Sequence, residues 1–279
     1  MDKALVIGVA DYNGLYPVPL QGATAASASW RDLLTDQHYQ FRYSAGDPNS
    51  NLRVLESRDA TKAAILDDLA WLVRDAGPND RAILIFCGHG AQLDRRDPRT
   101  GVMYKEQGLV THPANGESLP NATLFGDEIS VILRSAPVRI TVVIDACHSG
   151  GVFDGSDALK LRPLFIALDS VEGEPQSDVP VLSLTARLVE PLFQPFDDGS
   201  AVKSSLVVLA ASAELLAAYE AEISGARQML FTHAATGLLA ADRNLTFDLL
   251  WRQVTHSVGA HQTPQLTGDR TRFTNLFTF

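Results

Sequence analysis

The sequence predicts an α/β fold built on a mainly parallel sheet, and three apolar runs carry that expectation. Ala4–Val9 (ALVIGV), Arg81–Cys87 (RAILIFC) and Arg139–Ile144 (RITVVI) are short, nearly continuous hydrophobic segments. Strands covered on both faces read this way, whereas half-exposed strands alternate. Stretches with helical spacing separate the runs, and strands alternating with helices call for parallel pairing.

The elements follow in order. Ala4–Val9 ends in the turn residues Asp11-Tyr-Asn-Gly14. Ala23 to Leu34 is alanine-rich, with Trp30, Leu33 and Leu34 on one side, and is expected to be helical. Leu52–Glu56 is a weaker strand. Thr61 is placed to cap a helix through Ile65, Leu66, Leu69, Leu72 and Val73, which recur three and four apart. Gly77-Pro78-Asn79-Asp80 ends that helix. The polar stretch from Gln92 to about Asn121 is expected to be a long loop with room for a small hairpin. Asp127–Ser135 reads as a short helix and Ser204–Ala211 as a fourth apolar strand. Helices are expected at about 227–241 and 246–259, the second capped by Thr246, and Arg272–Phe279 as an edge strand. Residues 154–203, rich in proline and acid, break the pattern and read as a surface insertion in a single domain spanning 1–279.

Composition narrows the function. Of 279 residues, 46% are hydrophobic and 20% charged, as in an ordinary globular protein with a sizeable core. A net charge of −10 with no Lys/Arg run argues against a nucleic-acid partner. No apolar stretch is long enough to span a membrane, and the N-terminal run is too short for a signal peptide. The two cysteines, Cys87 and Cys147, form neither a disulfide framework nor a zinc motif, which fits a reducing cytoplasm.

In open α/β sheets, sites lie at the carboxyl ends of strands. Two of the strong runs end in polar, glycine-flanked residues: Gly88-His89-Gly90 after one, and Asp145-Ala146-Cys147-His148-Ser149-Gly150-Gly151 after another. If these strands are parallel neighbours, an imidazole and a thiol emerge on one edge. The thiol of Cys147 then attacks an acyl carbon and His89 protonates the leaving amine. Backbone N–H groups of Gly90 and Cys147 are candidates for an oxyanion hole. A lone Cys or His is more often structural. Cys87, closing an apolar strand, reads as a buried small side chain, and His38, His112, His233, His256 and His261 as surface or packing residues.

These motifs resemble those of caspases, metacaspases and paracaspases. Phe86-Cys87-Gly88-His89-Gly90 is similar to the family's histidine motif, and Asp145-Ala146-Cys147-His148-Ser149-Gly150 to the metacaspase nucleophile motif D-C-C-H-S-G. The two lie 58 positions apart, near the roughly 50 of caspases. Lys3–Gly8, Gly126-Asp127-Glu128-Ile129, Val207–Glu220, Phe231-Thr232 and Gln262-Thr263-Pro264-Gln265 resemble further family segments, so the likeness leaves out only the 92–121 and 154–203 stretches.

The resemblance implies a three-layer caspase-like fold with a six-stranded sheet flanked by helices. It also implies a cysteine endopeptidase acting on protein or peptide substrates, with His89 and Cys147 as its dyad. Asp145 stands where metacaspases place an acid at the floor of a pocket for Arg or Lys, and where caspases, which cut after Asp, place Gln. The family's second pocket acid falls on Ala26, so Glu214 or Glu220 in the substrate-facing loop is expected to replace it, with Asp11 a weaker candidate and Ser212 lining the same loop. No cofactor is required. Calcium binding is thinned to Asp127, whose usual acidic neighbour is Gly126. Self-cleavage is expected in the insertion after Lys160, Arg162, Arg187 or Lys203. The alternatives are a catalytically silent interaction module and a protease that prefers Asp. Oligomeric state is open, since caspases resemble dimers and metacaspases monomers.

Overall fold

The computed structural model describes residues 1–15, 19–97, 99–114, 116–146, 162–163, 181–182, 205–213 and 218–277. The predicted runs become strands: β1 (Lys3–Gly8), β2 (Leu52–Glu56), β3 (Arg81–Cys87), β7 (Arg139–Asp145) and β10 (Ser205–Ala210). With β13 (Gln265–Gly268) they form a six-stranded sheet in the order β13-β10-β7-β3-β1-β2. Every pairing is parallel except that of β13, which runs antiparallel to β10. Beyond their first residues β1, β3, β7 and β10 are buried throughout, which is why their sequences lack alternation.

Two groups of helices cover this sheet. Helix α1 (Gln21–Leu34) packs on β1 and β3 and meets α4 (Leu230–Ala241), which meets α5 (Phe247–Val258). Helix α2 (Lys62–Val73) packs on the same strands and meets α3 (Gly126–Leu133). Trp30, Leu33 and Leu34 are the buried stripe of α1. Thr61 and Thr246 cap α2 and α5 through their hydroxyls, which accept from the amides of Ala64 and Leu249.

Three expectations need correction. The 92–121 stretch is not mainly loop: β4 (Gly90–Arg96) and β5 (Met103–Val110) form a full hairpin extended by β6 (Thr123–Phe125). The helix expected from 227 starts at Leu230, because Ala226–Met229 (β12) pairs with Tyr219–Ile223 (β11). The terminal edge strand is Gln265–Gly268 rather than Arg272–Phe279. Arg270–Arg272 is a single 3₁₀ turn, and Phe277 is buried and stacked on Trp30. Thr278 and Phe279 lie outside the described residues.

Of the 154–203 insertion only two short strands are described. Backbone of β8 (Arg162–Pro163) pairs antiparallel with β11, Arg162 opposite Glu220, and β9 (Val181–Leu182) pairs with β5. The candidate cleavage positions Lys160, Arg187 and Lys203 fall outside the described residues.

Candidate active site

Strands β3 and β7 are adjacent and in register, Cys87 opposite Asp145. The pairing persists one residue further, where the amide of Gly88 donates to the carbonyl of Asp145 at 3.1 Å. His89, the next residue, is buried; its carbonyl accepts from Val110 at 2.9 Å and its amide donates to the Tyr12 hydroxyl at 2.6 Å. The Tyr12 and His89 rings lie 4.9 Å apart. Tyr12, itself buried beyond the end of β1, thus holds the histidine from below, and burial pushes its phenol pKa up. Gly88 is glycine for a steric reason: a Cβ there would sit 2.8 Å from the Tyr12 hydroxyl and 2.9 Å from the Phe86 ring. Gly90 opens β4 opposite Leu109. Cys147 and Glu214 lie outside the described residues.

Asp145 is fully buried at the end of β7. Its Oδ2 accepts the amide of Thr232 at 2.9 Å and the Thr232 hydroxyl at 2.7 Å, in the first turn of α4. Its Oδ1 has no partner among the described residues. Burial pushes this carboxyl up to about 6, against the two bonds from Thr232, which favour the charged form. Ser212, just past β10, is also buried, and its hydroxyl has no partner among the described residues. Glu220 is fully buried on β11, and its Oε2 accepts the amide of Gly22 at 2.9 Å, one turn before Ala26 on α1.

The remaining candidates sit apart. Asp11 caps its own turn by accepting from Asn13, while its carbonyl meets His112 Nδ1 at 2.8 Å. Asp127 is exposed in the first turn of α3 and accepts the Glu128 amide. Among the described residues no group of three or more His, Cys, Asp and Glu could hold a metal ion. Cys87 is buried, its thiol pKa pushed well up by burial and by Asp145, as suits a packing residue rather than a nucleophile. Sequence reasoning missed Tyr12, Trp30 and Thr232 as site residues. Their contacts span 77 to 202 positions, and the local signals were the Tyr in the turn after the first strand and the Phe231-Thr232 segment that resembles the family.

This layout, with polar groups gathered at the carboxyl edge of a parallel sheet of order β13-β10-β7-β3-β1-β2, defines a caspase-like fold, and comparison with known proteins agrees. The profile of the family described as "Metacaspase, peptidase C14 domain" matches residues 2–156, more than half of the chain, and the chain belongs to that family. Metacaspase-1 of Eremothecium gossypii is 33% identical over 159 residues, covering 54% of this chain and 32% of that protein. Metacaspase-1 of Saccharomyces cerevisiae (strain ATCC 204508 / S288c) is 29% identical over 166 residues, covering 54% and 34%. The match thus spans about a third of the length of those relatives. Among solved structures, a Geobacter sulfurreducens protein superposes with a TM-score of 0.63 at 18% identity, covering 96% of this chain and 92% of that one. Caspase-1 of Spodoptera frugiperda gives 0.56 at 11% identity, covering 97% and 87%. At such identities these two structures speak to the fold.

Proposed function

We propose that the chain is a cysteine endopeptidase that cleaves after Arg or Lys, with Cys147 as nucleophile and His89 as general acid and base. The observation that carries the reading is the register of β3 and β7. Cys87 faces Asp145, His89 follows Cys87 by two residues, and Cys147 follows Asp145 by two, so the chain leaves two adjacent strands side by side with an imidazole and a thiol to offer. The thiolate attacks the scissile carbonyl carbon, and the oxyanion is met by amides, with Gly90 and Cys147 as the candidates. His89 protonates the departing amine, then takes a proton from the water that hydrolyses the thioester.

Basic specificity rests on Asp145, whose buried Oδ1, without a partner among the described residues, suits a cation and repels a substrate Asp. Glu220 supports a second acid: it reaches the start of α1, one turn from the alanine that replaces the family's usual acid. Residues 1–279 are taken as one peptidase domain working in a reducing, cytoplasmic setting on protein or peptide substrates. Self-processing in the insertion belongs to the same proposal. Of the four basic candidates Arg162 is the least suited, because Pro163 follows it and its backbone is paired with β11.

Cys147→Ala and His89→Ala are each expected to abolish peptide cleavage while leaving the fold intact, and Cys87→Ala is expected to keep it, since nucleophile and base act as one unit. Intact-mass spectrometry after long incubation is expected to show fragments ending in Lys or Arg for the wild type and none for Cys147→Ala. Activity surviving in Cys147→Ala but lost in Cys87→Ala would overturn the assignment.

A further inference from the structure

The hydroxyl of Thr232 sits at a junction of three elements. It accepts from Trp30 Nε1 of α1 at 3.1 Å, lies 3.8 Å from Cys87 Sγ of β3, and lies 2.7 Å from Asp145 Oδ2 of β7. All four residues are buried. A threonine hydroxyl has one proton and two lone pairs, while an indole N–H can only donate. Trp30 therefore takes a lone pair, Cys87 is placed to take the other, and the proton is committed to Asp145. The Thr232 amide adds a second bond to the same carboxylate oxygen at 2.9 Å. Among the described residues Oδ2 is thus occupied twice and Oδ1 not at all.

Resting on the proposed basic specificity, we infer that Thr232 is a positioning residue for substrate recognition: it saturates Oδ2 of Asp145, fixes the carboxylate plane, and leaves Oδ1 as the single oxygen that meets the P1 cation. Two consequences follow. A guanidinium gains no second oxygen from Asp145, so the fork geometry that favours Arg over Lys at a free carboxylate is largely unused. The two bonds also favour the ionised carboxylate against its burial. Among the described residues the titratable group set against Asp145 is the Cys87 thiol on β3, opposite it in register, with His89 two residues further on, past the end of that strand. The elements α1 and α4 bring the uncharged Trp30 and Thr232.

The test compares wild type with Thr232→Val and Thr232→Ser, using matched P1 Arg and P1 Lys peptides from pH 5 to 8. Thr232→Val is expected to move the acid limb of kcat/KM to higher pH and raise the Arg-to-Lys ratio several-fold, chiefly through KM. Thr232→Ser is expected to follow the wild type. Carboxyl-carbon NMR titration of Asp145 in Cys147→Ala protein supplies a readout apart from activity, and Thr232→Val should raise its midpoint. If Thr232→Val does not fold, Trp30→Phe should shift the same midpoint upward while Thr232→Ser does not. An unmoved midpoint overturns the inference. A moved midpoint in an enzyme indifferent to P1 charge instead overturns the basic-specificity reading and leaves the positioning of Asp145 standing.

Discussion

Burying the carboxyl of Asp145 disfavours its charged form, and two hydrogen bonds from Thr232 do not fully offset this, so the group titrates near 6 rather than near 4. The native state therefore holds this proton to higher pH than the unfolded chain does. The stability it contributes is complete below about pH 4 and is lost as pH rises through about 6, a penalty on the order of 3 kcal/mol at neutral pH. Asp145→Asn keeps an acceptor for Thr232 and removes the buried charge. We expect it to raise the melting temperature by about 5 °C at pH 7.5, to leave it nearly unchanged at pH 4, and to abolish cleavage after Arg. A carboxylate present only to cap α4 gives the opposite sign, with Asn lowering the melting temperature at neutral pH.

Among the elements, the carboxyl-terminal segment shows how tertiary context decides a local outcome. Gln265–Gly268 has little strand character of its own, yet it pairs with Val207–Ala210 and completes the sheet. Arg272–Phe279, expected as the edge strand, instead sends Phe277 inward between Trp30 and Phe247. Arg272 is buried and ties β7 to β10 by donating to the carbonyls of Ile140 at 2.8 Å and Ser205 at 2.7 Å, with burial lowering its pKa to about 10. Arg272→Ala is expected to cost about 3 kcal/mol in urea unfolding, because it removes bonds from a charged group and leaves buried carbonyls. Exposed Arg270→Ala should stay within about 0.5 kcal/mol. Equal effects would remove Arg272 from the account. The strong strands were legible because burial on both faces writes itself into continuous apolar runs. The β4–β5 hairpin was legible only as room for a small one, because GAQLDRR and MYKEQGLV are mixed polar sequences, with the bond from the Val110 amide to the His89 carbonyl at its base.

Across the whole molecule, one strand order underlies the proposed site. The order β13-β10-β7-β3-β1-β2 sets the ends of β1, β3, β7 and β10 along one edge, where Tyr12, His89, Asp145 and Ser212 gather. The motifs around His89 and Cys147 could be read in the sequence because each directly follows a strong strand. The second layer could not: Thr232 reaches Asp145 across 87 positions and Trp30 reaches Thr232 across 202, and no local pattern encodes such contacts. The central claim, a Cys147 peptidase with an acidic P1 pocket floored by Asp145, is tested most directly by fluorogenic peptides that differ only at P1. The account predicts cleavage after Arg and Lys, little or none after Asp, and loss of the Arg signal in Asp145→Ala; a clear preference for Asp, or Asp145→Ala cutting Arg peptides at the wild-type rate, would contradict it.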